Sequence, residues 1–245
     1  MTDNEYFLFD IRRVTATPDS KDAYDDLHKT RDLEQILSFY VWVVDLMHLT
    51  PASTLLDVSC GAGAVVCLAR ERGVHAVGID ISEVIARVAR SRSEGITVGA
   101  GEYLPFADAS FDYATNLGSL EHFRDPLLGV KEMSRVLRPG GRAFILVPNT
   151  FSLLTNVLVA FRTGRTSVDE QPIQRYGARA DWEALIGAGG LTVRKTLKYE
   201  RARPRLLADW CHYLSRPKEL IRLLVMPFVP LNLAFCFLYV CERPT

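Results

Sequence analysis

Several side chains in this sequence are spaced as if to hold and activate a charged ligand. In Leu55-Leu56-Asp57-Val58-Ser59-Cys60-Gly61-Ala62-Gly63 a buried-strand pattern carries an acid and runs into a glycine turn that opens a helix. Glycines let the backbone approach a ligand without a Cβ in the way, and a helix start offers unpaired N–H groups and a positive dipole end. Asp80 ends the next apolar run about twenty residues on, where a carboxylate can accept hydrogen bonds from both hydroxyls of a ribose. A dinucleotide fits less well, because Val66 stands at the third glycine of the GxGxxG pattern that packs beside a pyrophosphate. Asp57, just before the turn, would repel a phosphate and pair with an amino group. The expected ligand is therefore a nucleoside bearing a cation. His122 is the candidate general base, since imidazole titrates near neutrality. A histidine at a helix start that pairs with Glu121 or caps backbone is an equal reading of the same residue.

The elements that must position these groups alternate in type. Short apolar runs and amphipathic segments follow one another from Thr54, which is the pattern of βαβ units with a parallel sheet. The spacing predicts strands at 54–58, 75–79, 96–98, 111–116, 142–148 and 191–199, a last strand near 232–241, and helices at 63–72, 83–93, 126–137 and 180–188. Before them, Leu33, Ile36, Leu37, Tyr40, Val41 and Val44 recur at helical steps until Pro51. Tyr24 sits in an acidic stretch that suits a helix start in a flap. Two stretches fall outside the sheet. Residues 150–178 carry an apolar run from Phe151 to Phe161 and then a polar loop, and a connection that long is usually functional. Residues 201–230 mix arginines and Lys218 with leucines and Trp210.

Composition narrows the class. The 245 residues are 48% hydrophobic and 24% charged, with 29 acidic and 29 basic side chains, so no global field draws the protein to nucleic acid. The balance is local rather than uniform: residues 1–50 hold ten acids against five bases, and residues 194–222 nine bases against three acids. The cysteines, five in all, form no CxxC pair and no metal-ligand spacing, so neither a disulfide framework nor a metal site is expected. Met1-Thr-Asp-Asn-Glu has no apolar h-region, which makes a cytoplasmic location the default expectation. Leu223 to Cys241 lacks any charge over nineteen positions, but Pro227, Pro230 and Asn232 favour a turn and a buried strand over a membrane span.

Four motifs in order give the chain a resemblance to the class I S-adenosylmethionine-dependent methyltransferases of the type 11 group. They are the glycine motif at 55–63, Asp80, the pair Gly101-Glu102-Tyr103-Leu104-Pro105-Phe106 and Phe111-Asp112 for the adenine side, and Ser119-Leu120-Glu121-His122-Phe123 followed by Glu132 to Gly141. The resemblance covers roughly residues 50–200. It implies an α/β, Rossmann-like, seven-stranded and mostly parallel sheet with helices on both faces and helical cap insertions. It implies a helical lid at 1–50, a cofactor-binding core at 51–200 and, at 201–245, a basic, apolar helical insertion with the last antiparallel strand, all in a single domain. The implied cofactor is S-adenosyl-L-methionine, with S-adenosyl-L-homocysteine as product. Asp57 would take its amino group, Ser59, Gly61 and Gly63 its methionyl part, Asp80 and Ile81 its ribose, Gly101 and Glu102 its adenine, and Asn116 and Leu117 the space below the sulfonium.

Departures from the family pattern carry expectations too. Ser59 replaces a glycine and should shift the turn. Ala100 replaces an acid at the adenine, and Gly118 replaces the first glutamate of an ExxEH metal pattern, which weakens Glu121-His122 as metal ligands. Asn116-Leu117-Gly118-Ser119 is not the sequence of nucleic-acid amino methylation. The implied acceptor is a small molecule or lipid-like intermediate, methylated at oxygen or, second, at a carbon of a quinone-like ring. Tyr24, Arg175 and Tyr176 are the candidate acceptor contacts. A cofactor-binding scaffold without catalysis is the alternative, and peripheral membrane contact through 201–230 is a further expectation.

Overall fold

The computed structural model describes residues 8–13, 20–30, 34–167 and 171–245. Met1 to Glu5, Leu33 at the head of the helical periodicity, and positions 168–170 of the long insertion lie outside the described residues. The chain begins with strand β1 (Phe9–Arg13) and helices α1 (Ser20–Thr30) and α2 (Leu37–Met47). Helix α2 buries Phe39, Val43, Val44 and Met47, and stops at His48, whose backbone turns left-handed at φ 49°.

The alternating segments then fold as expected. They are β2 (Thr54–Val58), α3 (Ala64–Arg70), β3 (His75–Asp80), α4 (Glu83–Arg92), β4 (Ile96–Val98), β5 (Phe111–Leu117), α5 (Pro126–Val136) and β6 (Leu137–Pro148). Local chemistry sets the helix starts. The Ser82 hydroxyl accepts the Ile85 N–H at the head of α4, and Asp125 accepts that of Leu128 before Pro126 at the head of α5. After β6 come α6 (Leu158–Thr163), β7 (Ile173–Gly177), α7 (Arg179–Ala188), β8 (Thr192–Tyr199), α8 (Leu207–Leu214), α9 (Pro217–Val225) and β9 (Cys236–Glu242).

Seven strands form one sheet in the order β4-β3-β2-β5-β6-β9-β8, with β9 antiparallel to both neighbours and the pairs from β4 to β6 parallel. The chain runs outward from β2 through β3 to β4 and returns to β5 on β2's other side. This reversal opens a crevice at the carboxyl ends of β2 and β5, where open α/β sheets bind ligands. Strand periodicity divides the core between two faces. Leu56 and Val58 pack with Met133 and Trp182, while Leu55 packs with Phe39, Val66 and Phe144.

Three expectations are corrected. A second sheet, β1 antiparallel to β7, arises where a helical lid and a polar loop were expected. The last strand begins at Cys236, after a short 3-10 turn at Leu231–Leu233. Asp112, expected on the adenine side, does not line the cavity: it accepts the Thr54 N–H at 2.8 Å and hydroxyl at 2.9 Å, and pairs with Arg138 at 2.6 Å, tying the starts of β2 and β5 together. No helix among the described residues is long and apolar enough to cross a membrane. Replacing Asp112 by Ala leaves the Thr54 N–H without its acceptor, and should cost roughly 1–2 kcal/mol in denaturant unfolding while leaving ligand affinity at the opposite sheet end unchanged.

Candidate cofactor and acceptor site

A cavity of about 1080 Å³ opens at the switch point. Its floor is the turn after β2, where Ser59, Gly61 and Gly63 all carry positive φ, at 60°, 53° and 81°. Ser59 thus adopts the left-handed backbone that glycine prefers, at a cost on the order of 1–2 kcal/mol. Gly61 lines the cavity, and a Cβ placed there would meet nothing within 4 Å, so the backbone presents an open cradle. Gly63 does something else. It does not line the cavity, and its Cβ position lies 3.3 Å from Ala89 Cβ, so its lack of a side chain serves the packing of α3 on α4.

Two buried acids flank the cradle. Asp57 is 3% exposed and accepts the Thr115 hydroxyl at 2.6 Å. Burial pushes its carboxyl up to about 7, against the pull of Thr115, and the neighbouring charge of Asp80 adds to the rise. Asp80 accepts the Gly61 N–H and the Ser82 N–H, both at 2.9 Å, which fastens the turn to the end of β3. Its carboxyl is also raised, again by burial, although those two N–H groups and His28 oppose the rise. Ile81, Ala100, Gly101, Glu102 and Leu117 continue the wall. Gly101 is obligatory there, because a Cβ would fall 2.3 Å from the Phe123 ring. Glu102 also accepts the Arg124 N–H at 2.9 Å.

Asn116 does not reach the cavity. It is fully buried, and its side-chain oxygen accepts the Leu120 N–H at 2.8 Å, shaping the turn that carries His122.

Helix α1 covers the Asp80 end of the cavity. Asp25 accepts the Ser82 hydroxyl at 2.5 Å and the Val84 N–H at 3.2 Å, so the lid is pinned at the start of α4. Tyr24 and His28, one helical turn apart, both line the cavity. Burial lowers the pKa of His28, while Asp80 and Asp25 pull it the other way. His28 was not among the sequence candidates, yet the four-residue step from Tyr24 marks it.

Across the cavity, the Leu120–His122 turn after β5 presents His122 and Glu121, both nearly buried. His122 Nδ1 lies 2.5 Å from the Ile173 carbonyl, which can only accept, so this nitrogen carries the proton. Its Nε2 lies 3.7 Å from a Glu121 carboxylate oxygen, and the Tyr24 ring stands 6.3 Å away. In β7, alternation separates two neighbouring candidates. Gln174 and Tyr176 face the cavity, and the Arg12 guanidinium lies 4.2 Å from the centroid of the Tyr176 ring. Arg175 points the opposite way and donates to the carbonyls of Glu121, Phe123 and Arg124, so it clamps the His122 loop and does not line the cavity. Phe39, Tyr40, Pro148, Tyr199 and Phe235 make the remaining wall largely apolar. Among the described residues no cluster of three or more His, Cys, Asp or Glu is placed to hold a metal ion.

A parallel sheet whose switch point opens on two buried acids and a glycine cradle is the binding plan of a class I S-adenosylmethionine-dependent methyltransferase. Residues 56–145 match the family model described as a methyltransferase domain, of the type 11 group. The chain is 34% identical to a demethylmenaquinone methyltransferase of Staphylococcus haemolyticus over 149 residues, 58% of this chain and 62% of that protein. It therefore spans about six tenths of the relative's length. Among solved structures, a 1,6-didemethyltoxoflavin-N1-methyltransferase of Burkholderia thailandensis with bound S-adenosylhomocysteine superposes with a TM-score of 0.60 at 16% identity, covering 96% of this chain and 95% of that one. The [4+2]-cyclase SpnF superposes at 0.61 and 17% identity over 91% and 93%.

The cofactor of this domain is S-adenosylmethionine, and the residues present fit it. Asp57 has no cationic partner among the described residues, and Asp80 retains acceptor capacity beside the open Gly61 cradle. A bound ammonium favours the Asp57 carboxylate, so binding expels a proton wherever the free protein holds one. Affinity should rise with pH up to about 7 and level off above it, falling roughly tenfold per unit on the acid side, as titration calorimetry across that range would show. Replacing Asp57 by Asn should abolish the pH dependence, weaken binding, and raise the melting temperature at alkaline pH, where the native carboxylate is buried and charged.

Proposed function

We propose that the chain moves the methyl group of S-adenosylmethionine to an oxygen of a small, largely apolar acceptor, with His122 taking the acceptor's proton. The observation that carries this reading is the sharing of one cavity by the Asp57–Asp80 donor site and by His122. The sulfonium methyl is already activated, so the protein has to align the acceptor in line with the carbon–sulfur bond and remove one proton. The bond from carbon to sulfur breaks as the bond from carbon to the acceptor oxygen forms, and S-adenosylhomocysteine leaves. The Ile173 carbonyl fixes the proton on Nδ1, which leaves Nε2 as the basic nitrogen, and Glu121 stabilises the imidazolium once it forms.

Gln174 supports a hydroxyl-bearing acceptor. It is 3% exposed, and its Oε1 has no donor among the described residues, so a hydroxyl in the cavity would satisfy it. The aromatic wall of Phe39, Tyr40, Tyr199 and Phe235 suits a flat ring. The relatives named for demethylmenaquinone favour a quinone-like ring, and deprotonating a quinol hydroxyl loads the adjacent ring carbon as well as the oxygen. Carbon transfer to such a ring is the second reading, and mass and NMR analysis of the product separates the two.

Calorimetry should give micromolar binding of S-adenosylmethionine or S-adenosylhomocysteine, and absence of binding overturns the enzyme reading in favour of a scaffold. His122→Ala should lower kcat by about a hundredfold or more with cofactor affinity nearly unchanged, and unaltered turnover would remove His122 as the base.

A further inference from the structure

The paired helices α8 and α9 are built inside out. Their two acids face the protein beside Tyr213 and Leu223, and a stripe of large apolar side chains faces away. Asp209, only 4% exposed, accepts the Arg205 and Leu206 N–H groups at 2.8 and 2.9 Å and takes a hydrogen bond from Ser38. Glu219 turns inward to Arg201, and Arg222 donates to the Leu154 carbonyl beside α6. Lys198 donates to the carbonyls of Met226, Pro227 and Val229 at the end of α9. On the other side Leu207, Trp210 and Leu214 recur at three- and four-residue steps, as do Ile221, Leu224 and Phe228, all of them exposed. Leu207 and Phe228 are 81% and 83% exposed, and Phe161 of neighbouring α6 is 87% exposed, which is well beyond the scattered leucines of an ordinary surface.

Charge says what this face meets. Between residues 201 and 231 the only acids are Asp209 and Glu219, and both are spent inward; between 151 and 167 there are none. The outward cations Arg203, Lys218, Arg162 and Arg165 have no acidic partner among the described residues, and Arg216 meets only His212. An apolar stripe rimmed by cations alone is complementary to a surface with apolar interior and anionic headgroups. We propose that the outer faces of α6, α8 and α9 seat this protein on an anionic lipid bilayer. The face is also joined to the cavity, because Glu219 on α9 holds Arg201, whose guanidinium lies 5.0 Å from the centroid of the Phe235 ring in the cavity wall. The inference does not depend on the acceptor's identity or on catalysis.

Sedimentation with vesicles tests it without any substrate. The protein should partition onto vesicles of phosphatidylglycerol mixed with phosphatidylcholine, and weakly onto phosphatidylcholine alone. Replacing Leu207, Ile221 and Phe228 together by Ser should lower partitioning about a hundredfold, because each loses its apolar burial in the lipid. Arg203→Glu with Lys218→Glu should lower it about tenfold or more and remove the preference for anionic lipid. Both variants should keep the wild-type melting temperature and cofactor affinity, since the substituted side chains are exposed. No partitioning onto anionic vesicles, or equal partitioning onto neutral ones, overturns the proposal. So does a dimer by light scattering that the serine variant dissolves while vesicle binding is absent, since a second copy would then cover the face.

Discussion

Two buried carboxylates at the mouth of the cavity set the terms for the rest of this structure. Asp57 and Asp80 sit at the ends of adjacent strands, and burial drives both pKa values upward because charge is costly away from water. The protein tolerates this only because local donors meet part of the demand: the Thr115 hydroxyl at Asp57, and the Gly61 and Ser82 N–H groups at Asp80. The same bonds fix the glycine turn. The left-handed backbone of Ser59 adds further cost at the same end of the sheet. Buried, uncompensated carboxylates lower stability and suit a site prepared for a cationic ligand.

The donor half was largely legible in the sequence because its determinants are local. A strand, a turn and a helix lie in one contiguous stretch, so Asp57, Gly61 and Asp80 could be placed by spacing alone. The errors there concern direction. Gly63 and Asn116 occupy the expected positions but turn toward α4 and toward the Leu120 N–H, and spacing does not report which way a group in a turn faces. Asp112 was misplaced for a similar reason, since the residues at the two ends of a strand belong to opposite edges of the sheet.

The acceptor half was less legible because its parts come from distant stretches. Strand β7, Ile173-Gln174-Arg175-Tyr176-Gly177, has no apolar run, and its partner β1 lies some 160 positions earlier, at a separation no local pattern reports. Pairing fixes its alternation, and alternation sends Gln174 and Tyr176 to the cavity and Arg175 to the His122 loop. The helical insertion at 201–230 was visible as composition. What composition could not show is that the acids of α8 and α9 face inward and Leu207, Leu214 and Leu224 outward, which follows only from Ser38 and Arg201 elsewhere in the chain.

This division between halves has a physical basis. The donor site is held by the parallel sheet, whose strands lock one another in register, so its geometry survives wide change elsewhere; a [4+2]-cyclase and an N-methyltransferase share the architecture at 17% and 16% identity. The acceptor side is assembled from covers tied down by a few polar anchors: Asp25 on the start of α4, Arg175 on three carbonyls, Glu219 on Arg201. Each cover can therefore change its inner surface without disturbing the sheet. Reaction and substrate are set where the anchors are few, and the cofactor is set where the register is fixed. In this chain the two meet at His122, which stands on the turn after a sheet strand yet takes its tautomer from a carbonyl of the cover strand β7.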